Sequence, residues 1–124
     1  MSREIKFRAW CEEKKEMLQL QKMSFKTGKC MPYGWNLAYE FTDIMQYTGL
    51  KDKMEKDIYE GDIVEFHTNI ITKTKAKVEF DCYGFMLSEI HDINCCYLGD
   101  IDIDDDLGIQ VIGNIYEDKE LLEG

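Results

Sequence analysis

The chain has 124 residues, of which 44% are hydrophobic and 12% aromatic, and its formal net charge is −10. This length suits one compact domain with a small appended subdomain, and it excludes a large barrel or a fusion of two enzymes. No apolar run approaches the roughly 20 residues of a membrane helix, and residues 1–4 lead into no signal-peptide stretch, so we expect a cytoplasmic protein without a membrane segment.

The acidic charge is concentrated in the second half of the chain. Residues 1–60 carry 11 Lys and Arg against 10 Asp and Glu, whereas residues 61–124 carry 4 against 15. Nucleic-acid binding normally depends on several Lys or Arg contacts with phosphates, so this half is unsuited to DNA or RNA. A basic partner or a metal ion suits it better, and the alternative is that the charge serves solubility alone.

The sequence contains an odd number of cysteines and no Cys-x-x-C pair. At least one of the five cannot pair within a monomer, and this pattern favours a reducing compartment. We expect free, mostly buried thiols and no structural zinc site. The cysteines are Cys11, Cys30, Cys82, Cys95 and Cys96.

Alternating apolar and polar residues predict that the chain opens with a β-hairpin. Residues 4–10 have one apolar face, and the opposite face, which carries Lys6, Arg8 and Trp10, is expected to meet solvent. Residues 16–21 alternate again and form the second strand. A short helix over residues 12–23 is the competing interpretation.

The middle of the chain predicts a loop followed by two strands. Residues 24–40 mix glycines, the single proline and aromatics, which is typical of an irregular loop pinned by large side chains. Residues 41–48 are rich in β-formers, and Gly49 is expected to end that strand. Residues 58–66 predict a turn that leads into a strand. The glycine at 61 indicates a bulge or a tight turn, and the aspartate at 62 can accept a local backbone hydrogen bond.

The strongest alternation covers residues 72–82, with a face from Thr72 to Cys82, including Phe80, expected to be buried and a lysine-rich face expected to be wet. A partner strand at 85–87 and further strands at 95–98 and 109–117 follow, and residues 118–122 suggest a helical turn. Short strands at this spacing predict a small barrel or roll.

Three segments resemble the YopX family of small proteins. They are Arg3–Trp10 (REIKFRAW), residues 45–53 (MQYTGLKDK) running into 58–64 (IYEGDIV), and residues 111–117 (VIGNIYE). The resemblance implies an uncharacterised protein encoded mainly by phages and prophages, with no known activity. It also implies a mainly β structure with an SH3-like barrel or roll in the C-terminal part. Together with the strands predicted above, we expect an N-terminal hairpin region, residues 1–50, packed on that barrel or roll, residues 51–124, with little helix.

Two positions depart from the family pattern. Cys11 stands where the family often has an acidic residue, and Met54-Glu55 replaces a turn of Asn-Gly type. Met and Glu resist the positive backbone angles of such a turn, so we expect an altered turn geometry.

The run Asp100–Asp106 is the most suggestive candidate for chemistry. Asp100, Asp102 and Asp104 could converge on a divalent cation, but the calcium-loop template fails because Asp105 and Val111 occupy its glycine and glutamate positions. The favoured interpretation is a solvated strand end, since like charges on one strand face are tolerated only in water.

The sequence contains no catalytic motif that we recognise. The two histidines, His67 and His91, fall at ordinary rim positions, and a nucleophilic pair with Cys82, Cys95 or Cys96 remains an alternative. We therefore expect a protein that is not an enzyme and needs no cofactor.

Arginine and aromatic side chains provide the candidate partner-binding residues, because Trp, Tyr and Arg dominate interface hot spots. The alternative is that these side chains pack the interior. They are Arg8, Trp10, Tyr47, Tyr59 and Tyr116.

The leading hypothesis is a non-enzymatic accessory protein of phage or prophage origin that binds another protein, with a basic partner and self-association among the options. One alternative is a small β-barrel that binds or mimics nucleic acid. A second alternative is a metal-dependent regulator or enzyme that uses Asp100–Asp106.

Overall fold

A computed structural model of the chain describes residues 5–24, 26–41, 43–67, 73–81, 84–90, 95–97 and 108–123. The chain divides into two compact units, Met1–Tyr47 and Thr48–Gly124. The sequence places this division after residue 50, and we describe the two units in turn.

The N-terminal unit is an antiparallel sheet in which β1 is an interior strand, paired with β2 on one side and β5 on the other. Its strands follow the order β4-β3-β2-β1-β5. They are β1 (Phe7–Cys11), β2 (Glu16–Met23), β3 (Lys29–Pro32), β4 (Tyr39–Glu40) and the first part of β5 (Ile44–Lys51). The predicted hairpin is therefore confirmed, and the helical alternative for residues 12–23 is wrong.

Two predictions for this part of the chain need correction. The segment 24–40, expected to be an irregular loop, contains β3 and β4, because the chain turns back after β2 and pairs with it from Leu20 to Met23. Strand β5 passes through Gly49 and ends at Lys51, so the glycine does not terminate it.

The C-terminal unit is built on a five-stranded antiparallel sheet with the order β10-β9-β8-β7-β11. Strands β7 to β10 form a meander, and β11 returns to pair with β7. The elements are β6 (Asp57–Tyr59), β7 (Asp62–His67), β8 (Lys73–Asp81), β9 (Gly84–Glu89), β10 (Cys95–Tyr97), β11 (Gln110–Asn114) and α1 (Glu120–Glu123). The predicted mainly β fold with little helix is confirmed.

Apolar side chains from β6, β7, β8, β9 and the β11 region form the core of this unit. They are Ile58, Val64, Phe66, Ala76, Val78, Leu87, Ile109 and Val111. Alternation in β8 correctly predicts the burial of Ala76 and Val78. It fails for Phe80, which is 54% exposed and packs instead against the ring of Phe85 on the neighbouring strand, with the ring centroids 4.9 Å apart.

Two turns in the C-terminal unit depend on buried aspartates. Gly61 has a φ of +89°, and a carboxylate oxygen of Asp62 accepts a hydrogen bond from the Tyr59 amide at 2.8 Å, as the sequence predicts. Asp52 is 4% exposed, and its Oδ1 accepts the amides of Met54 and Lys56. These bonds fix the turn in which an altered geometry was expected.

The Asp52 turn keeps a left-handed residue although it lacks glycine. Glu55 has a φ of +62°, and its amide donates to the Asp52 carbonyl at 2.9 Å. Oδ2 of Asp52 also accepts the Val111 amide at 2.8 Å. The three bonds to one carboxylate stabilise a backbone conformation that a glutamate disfavours.

None of the helices in the described residues is both long and apolar enough to span a membrane.

Candidate partner-binding groove

The structure places four of the five predicted partner-binding side chains in the interior. Arg8, Trp10, Tyr47 and Tyr59 are between 4% and 8% exposed, and Tyr116 is half-buried. The expectation that Arg8 and Trp10 face solvent is wrong, because both faces of the interior strand β1 are covered. Because these side chains form no exposed patch, their main role is to pack the interior, which is the alternative given in the sequence analysis.

Trp10 nevertheless lines a groove in the N-terminal unit. The groove has a volume of about 790 Å³ and lies between the β1–β2 turn, the segment between β3 and β4, and the residues that lead into β5. Its aromatic lining consists of Trp10, Trp35, Tyr39 and Phe41. Its charged lining consists of Glu12, Glu13, Lys14, Glu40 and Asp43.

Trp35 is the centre of the aromatic lining. Its ring meets Tyr39 edge to face, with centroids 5.2 Å apart and an interplanar angle of 86°, and it lies 6.2 Å from Phe41. The turn that presents it contains Gly34 at a φ of +86°, after which the Trp35 amide donates to the Pro32 carbonyl at 3.2 Å. Because Tyr39 is 46% exposed, this cluster remains open to a ligand.

The β1–β2 turn supplies the other wall. The indole Nε1 of Trp10 donates to Glu12 at 2.7 Å, and Lys15 donates to the second carboxylate oxygen of Glu12. Lys15 has a φ of +54°, which closes the four-residue turn. Next to it, the Nζ of Lys14 lies 4.7 Å from the centroid of the Trp35 ring, in cation–π geometry.

Charge in the groove is unbalanced. Four carboxylates line it against the single ammonium of Lys14. Glu12 is paired with Lys15, whereas Glu13 and Glu40 are exposed and have no ion-pair partner within the described part of the chain. An aromatic face beside unneutralised carboxylates is chemically suited to a cation.

The sequence interpretation missed Trp35, Tyr39 and Phe41 as site residues. The signal was present in the aromatic density of residues 33–41, which was assigned to pinning a loop. Their convergence depends on the Gly34 turn and on the pairing of β3 with β4, and neither is visible in local alternation.

Most of the side chains weighed as catalytic or metal alternatives lie outside the described residues. His67 ends β7 half-buried, with its Nδ1 lacking a hydrogen-bond partner. Among the residues described, no group of three His, Cys, Asp or Glu side chains is placed to hold a metal ion. His91, Cys82 and Asp100–Asp106 lie outside the described residues, as do the side chains of Cys95 and Cys96.

Cys11 and Cys30 are free thiols, as expected. Burial raises the pKa of the Cys30 thiol, because desolvation disfavours the thiolate. This residue is consequently a poor nucleophile and serves as a small core side chain.

A solved structure covers almost the whole chain. The crystal structure of protein EF1440 from Enterococcus faecalis is similar to this chain with a TM-score of 0.67 and 26% sequence identity, and the match covers 98% of this chain and 99% of that one. No functionally curated protein matches the sequence. The family model described as YopX protein matches residues 6–123. The resemblance noted in three short segments therefore extends over nearly the full length, and the chain belongs to the YopX family.

Proposed function

We propose that this protein is a non-enzymatic accessory protein of phage or prophage origin that binds another protein in the cytoplasm of the bacterial host. The observation that carries the proposal is the acidic–aromatic groove, defined as the surface around Trp35, Tyr39 and Phe41 with the carboxylates Glu13 and Glu40. The phage context comes from the family resemblance, and the groove supplies the contact surface.

Exposed aromatic surface supports protein binding. Tyr39, which lines the groove, is 46% exposed, so a large aromatic side chain lies at the groove without covering. Tyr and Trp contribute much of the energy of protein interfaces because they bury a large area at a small entropic cost. The groove thus has the aromatic content of an interface centre.

The charge of the groove favours protein over nucleic acid. Its carboxylates would repel the phosphates of DNA or RNA, whose binding needs basic side chains. A basic protein segment meets no such penalty, so the groove favours a basic partner, although the sequence placed that preference in residues 61–124.

Quantitative pull-down from host cytosol tests the proposal. The bait proteins are the wild type, Trp35→Ala with Tyr39→Ala, and a control, Tyr33→Ala, in which an aromatic side chain of the same unit, 67% exposed, is removed outside the groove. We expect a partner that the wild type and the control retain and the groove variant loses, with similar melting temperatures for all three. A partner profile that is the same for all three baits contradicts the proposal.

A further inference from the structure

Lys14 shows where the groove accepts a cation. Its Nζ lies 4.7 Å from the Trp35 ring centroid, and within the described residues the Lys14 side chain has no carboxylate partner. An exposed ammonium in the β1–β2 turn has many solvated positions available to it, so its place on the indole reflects attraction by the ring face. The protein therefore fills this position with its own side chain.

The surroundings of Lys14 favour a guanidinium more than an ammonium. A guanidinium is planar, stacks on an indole face and donates paired hydrogen bonds to a carboxylate. Trp35 offers such a face, and Glu13 and Glu40 line the same groove without ion-pair partners in the described chain. A lysine ammonium can make the cation–π contact with the indole ring, but it cannot stack on the ring or donate paired hydrogen bonds to a carboxylate.

We infer that the groove binds an arginine side chain presented by a segment of the partner protein, and that this arginine replaces Lys14 on the Trp35 face. The inference rests on the proposed function, because it specifies the ligand of the same groove. Lys14 is then an internal competitor, whose removal leaves the aromatic face open and the groove more acidic.

The cost of displacing Lys14 is small. A cation–π contact at an exposed site is worth about 0.5–1 kcal/mol, which corresponds to a roughly two- to fivefold change in affinity. An incoming guanidinium repeats that contact and adds charge-assisted hydrogen bonds to the carboxylates. Exchange therefore favours the arginine ligand.

NMR titration of the labelled protein with two peptides tests the inference. One peptide is a glycine heptapeptide with a central arginine, and the other carries citrulline, an uncharged analogue of nearly the same shape, at that position. We expect the arginine peptide to bind roughly fivefold or more tightly than the citrulline peptide, since it gains both the ring contact and the ion pairs. The indole N–H signal of Trp35 should report the binding.

Lys14→Ala and its control, Lys26→Ala, test the competitor role. Each variant removes one exposed lysine from the N-terminal unit, and Lys26 does not line the groove. We expect Lys14→Ala to bind the arginine peptide about two- to fivefold more tightly than the wild type, and Lys26→Ala to bind it as the wild type does. Equal affinities for Lys14→Ala and Lys26→Ala would overturn the competitor role.

The inference and the proposed function fail in different ways. Equal binding of arginine and citrulline peptides, or no binding of either, overturns the arginine inference. If Trp35→Ala with Tyr39→Ala still abolishes partner capture in that case, the proposed function stands with another ligand chemistry. If partner capture is also unaffected, both are wrong.

Discussion

In the part of the chain that the structure describes, two residues other than glycine, Lys15 and Glu55, have left-handed backbone angles, with φ values of +54° and +62°. Each closes a short turn between strands, and a left-handed conformation costs such a residue about 1–2 kcal/mol. The Lys15 turn forms one wall of the acidic–aromatic groove, and the Asp52 carboxylate supports the Glu55 turn. In both turns, side-chain contacts offset the cost of the left-handed conformation: the Asp52 carboxylate accepts two amides of the Glu55 turn, and Lys15 pairs with Glu12.

Replacing Glu55 with glycine should stabilise the protein. The side chain is exposed, so the substitution removes strain and little packing, and the greater freedom of glycine in the unfolded chain offsets part of the gain. We expect the free energy of unfolding to rise by roughly 0.5–1 kcal/mol in urea denaturation.

Lys56→Gly is the matched control for this substitution. Lys56 is exposed in the same turn, and it is not among the residues with positive φ. Glycine at this position should lower the free energy of unfolding by roughly 0.5–1 kcal/mol. Equal losses for Glu55→Gly and Lys56→Gly would contradict the strain at Glu55.

At the scale of elements, the turn after β11 depends on a close contact with a glycine. A side chain at Gly113 would place its Cβ only 2.5 Å from Oδ2 of Asp118, the atom that accepts the Asn114 amide at 3.1 Å. The Asp118 amide in turn donates to the Asn114 carbonyl at 3.0 Å. Gly113 therefore provides the space in which Asp118 closes this turn.

Gly113→Ala should destabilise the protein by roughly 1–3 kcal/mol, because Asp118 must move and give up its hydrogen bond from Asn114. The measurement is a double-mutant cycle by urea denaturation with Asp118→Ala. In the Asp118→Ala background the glycine substitution should cost less, since the carboxylate atoms at 2.5 and 2.7 Å are gone and only the Cβ of residue 118, at 2.9 Å, stays close. If Gly113→Ala destabilised the wild type and the Asp118→Ala variant equally, contact with Asp118 would not be the cause of the destabilisation.

Sequence alternation predicted strands well where one face of a strand meets solvent. Strand β8 follows this pattern at Ala76 and Val78, between outward lysines. The pattern failed for β1, where Arg8, Ala9 and Trp10 are consecutive and all buried. Alternation indicates which face of a strand meets solvent, and β1 is an interior strand with both faces covered. It also missed β3 and β4, which are too short for alternation to reveal.

The candidate site could be predicted only in part, because the residues that form it come together through turns and strand pairing that local alternation does not show. The preference for Trp, Tyr and Arg was sound chemistry, but it selected side chains in the recognisable family segments, such as Tyr47 and Tyr59, and these are buried. The aromatics that line the groove lie in the segment between β3 and β4. Their association depends on turns and strand pairing that join residues distant in sequence.

For the whole molecule, net charge gives a poor guide to the binding surface. The half of the sequence with the large acidic excess, 15 acidic against 4 basic residues, is not the half that contains the groove. Residues 1–60 are nearly neutral on average, yet four carboxylates and one lysine line the groove within them. Folding separates the charges, so a locally acidic surface arises from a balanced sequence.

This separation gives the protein an electrostatic preference at one specific place. In the proposed function, the carboxylates of the groove would attract a basic partner segment, and the aromatic lining around the exposed Tyr39 would supply the contact area that charge alone lacks. Specific binding then requires the charges and the rings together.

Selection from a random-peptide display library on the immobilised full-length protein tests this central claim most directly, with Trp35→Ala as the parallel target. The account predicts that the wild type enriches arginine-containing peptides and depletes acidic ones, and that Trp35→Ala loses this enrichment while keeping a wild-type melting transition. Selected pools without arginine enrichment, or the same enrichment on both targets, would contradict it.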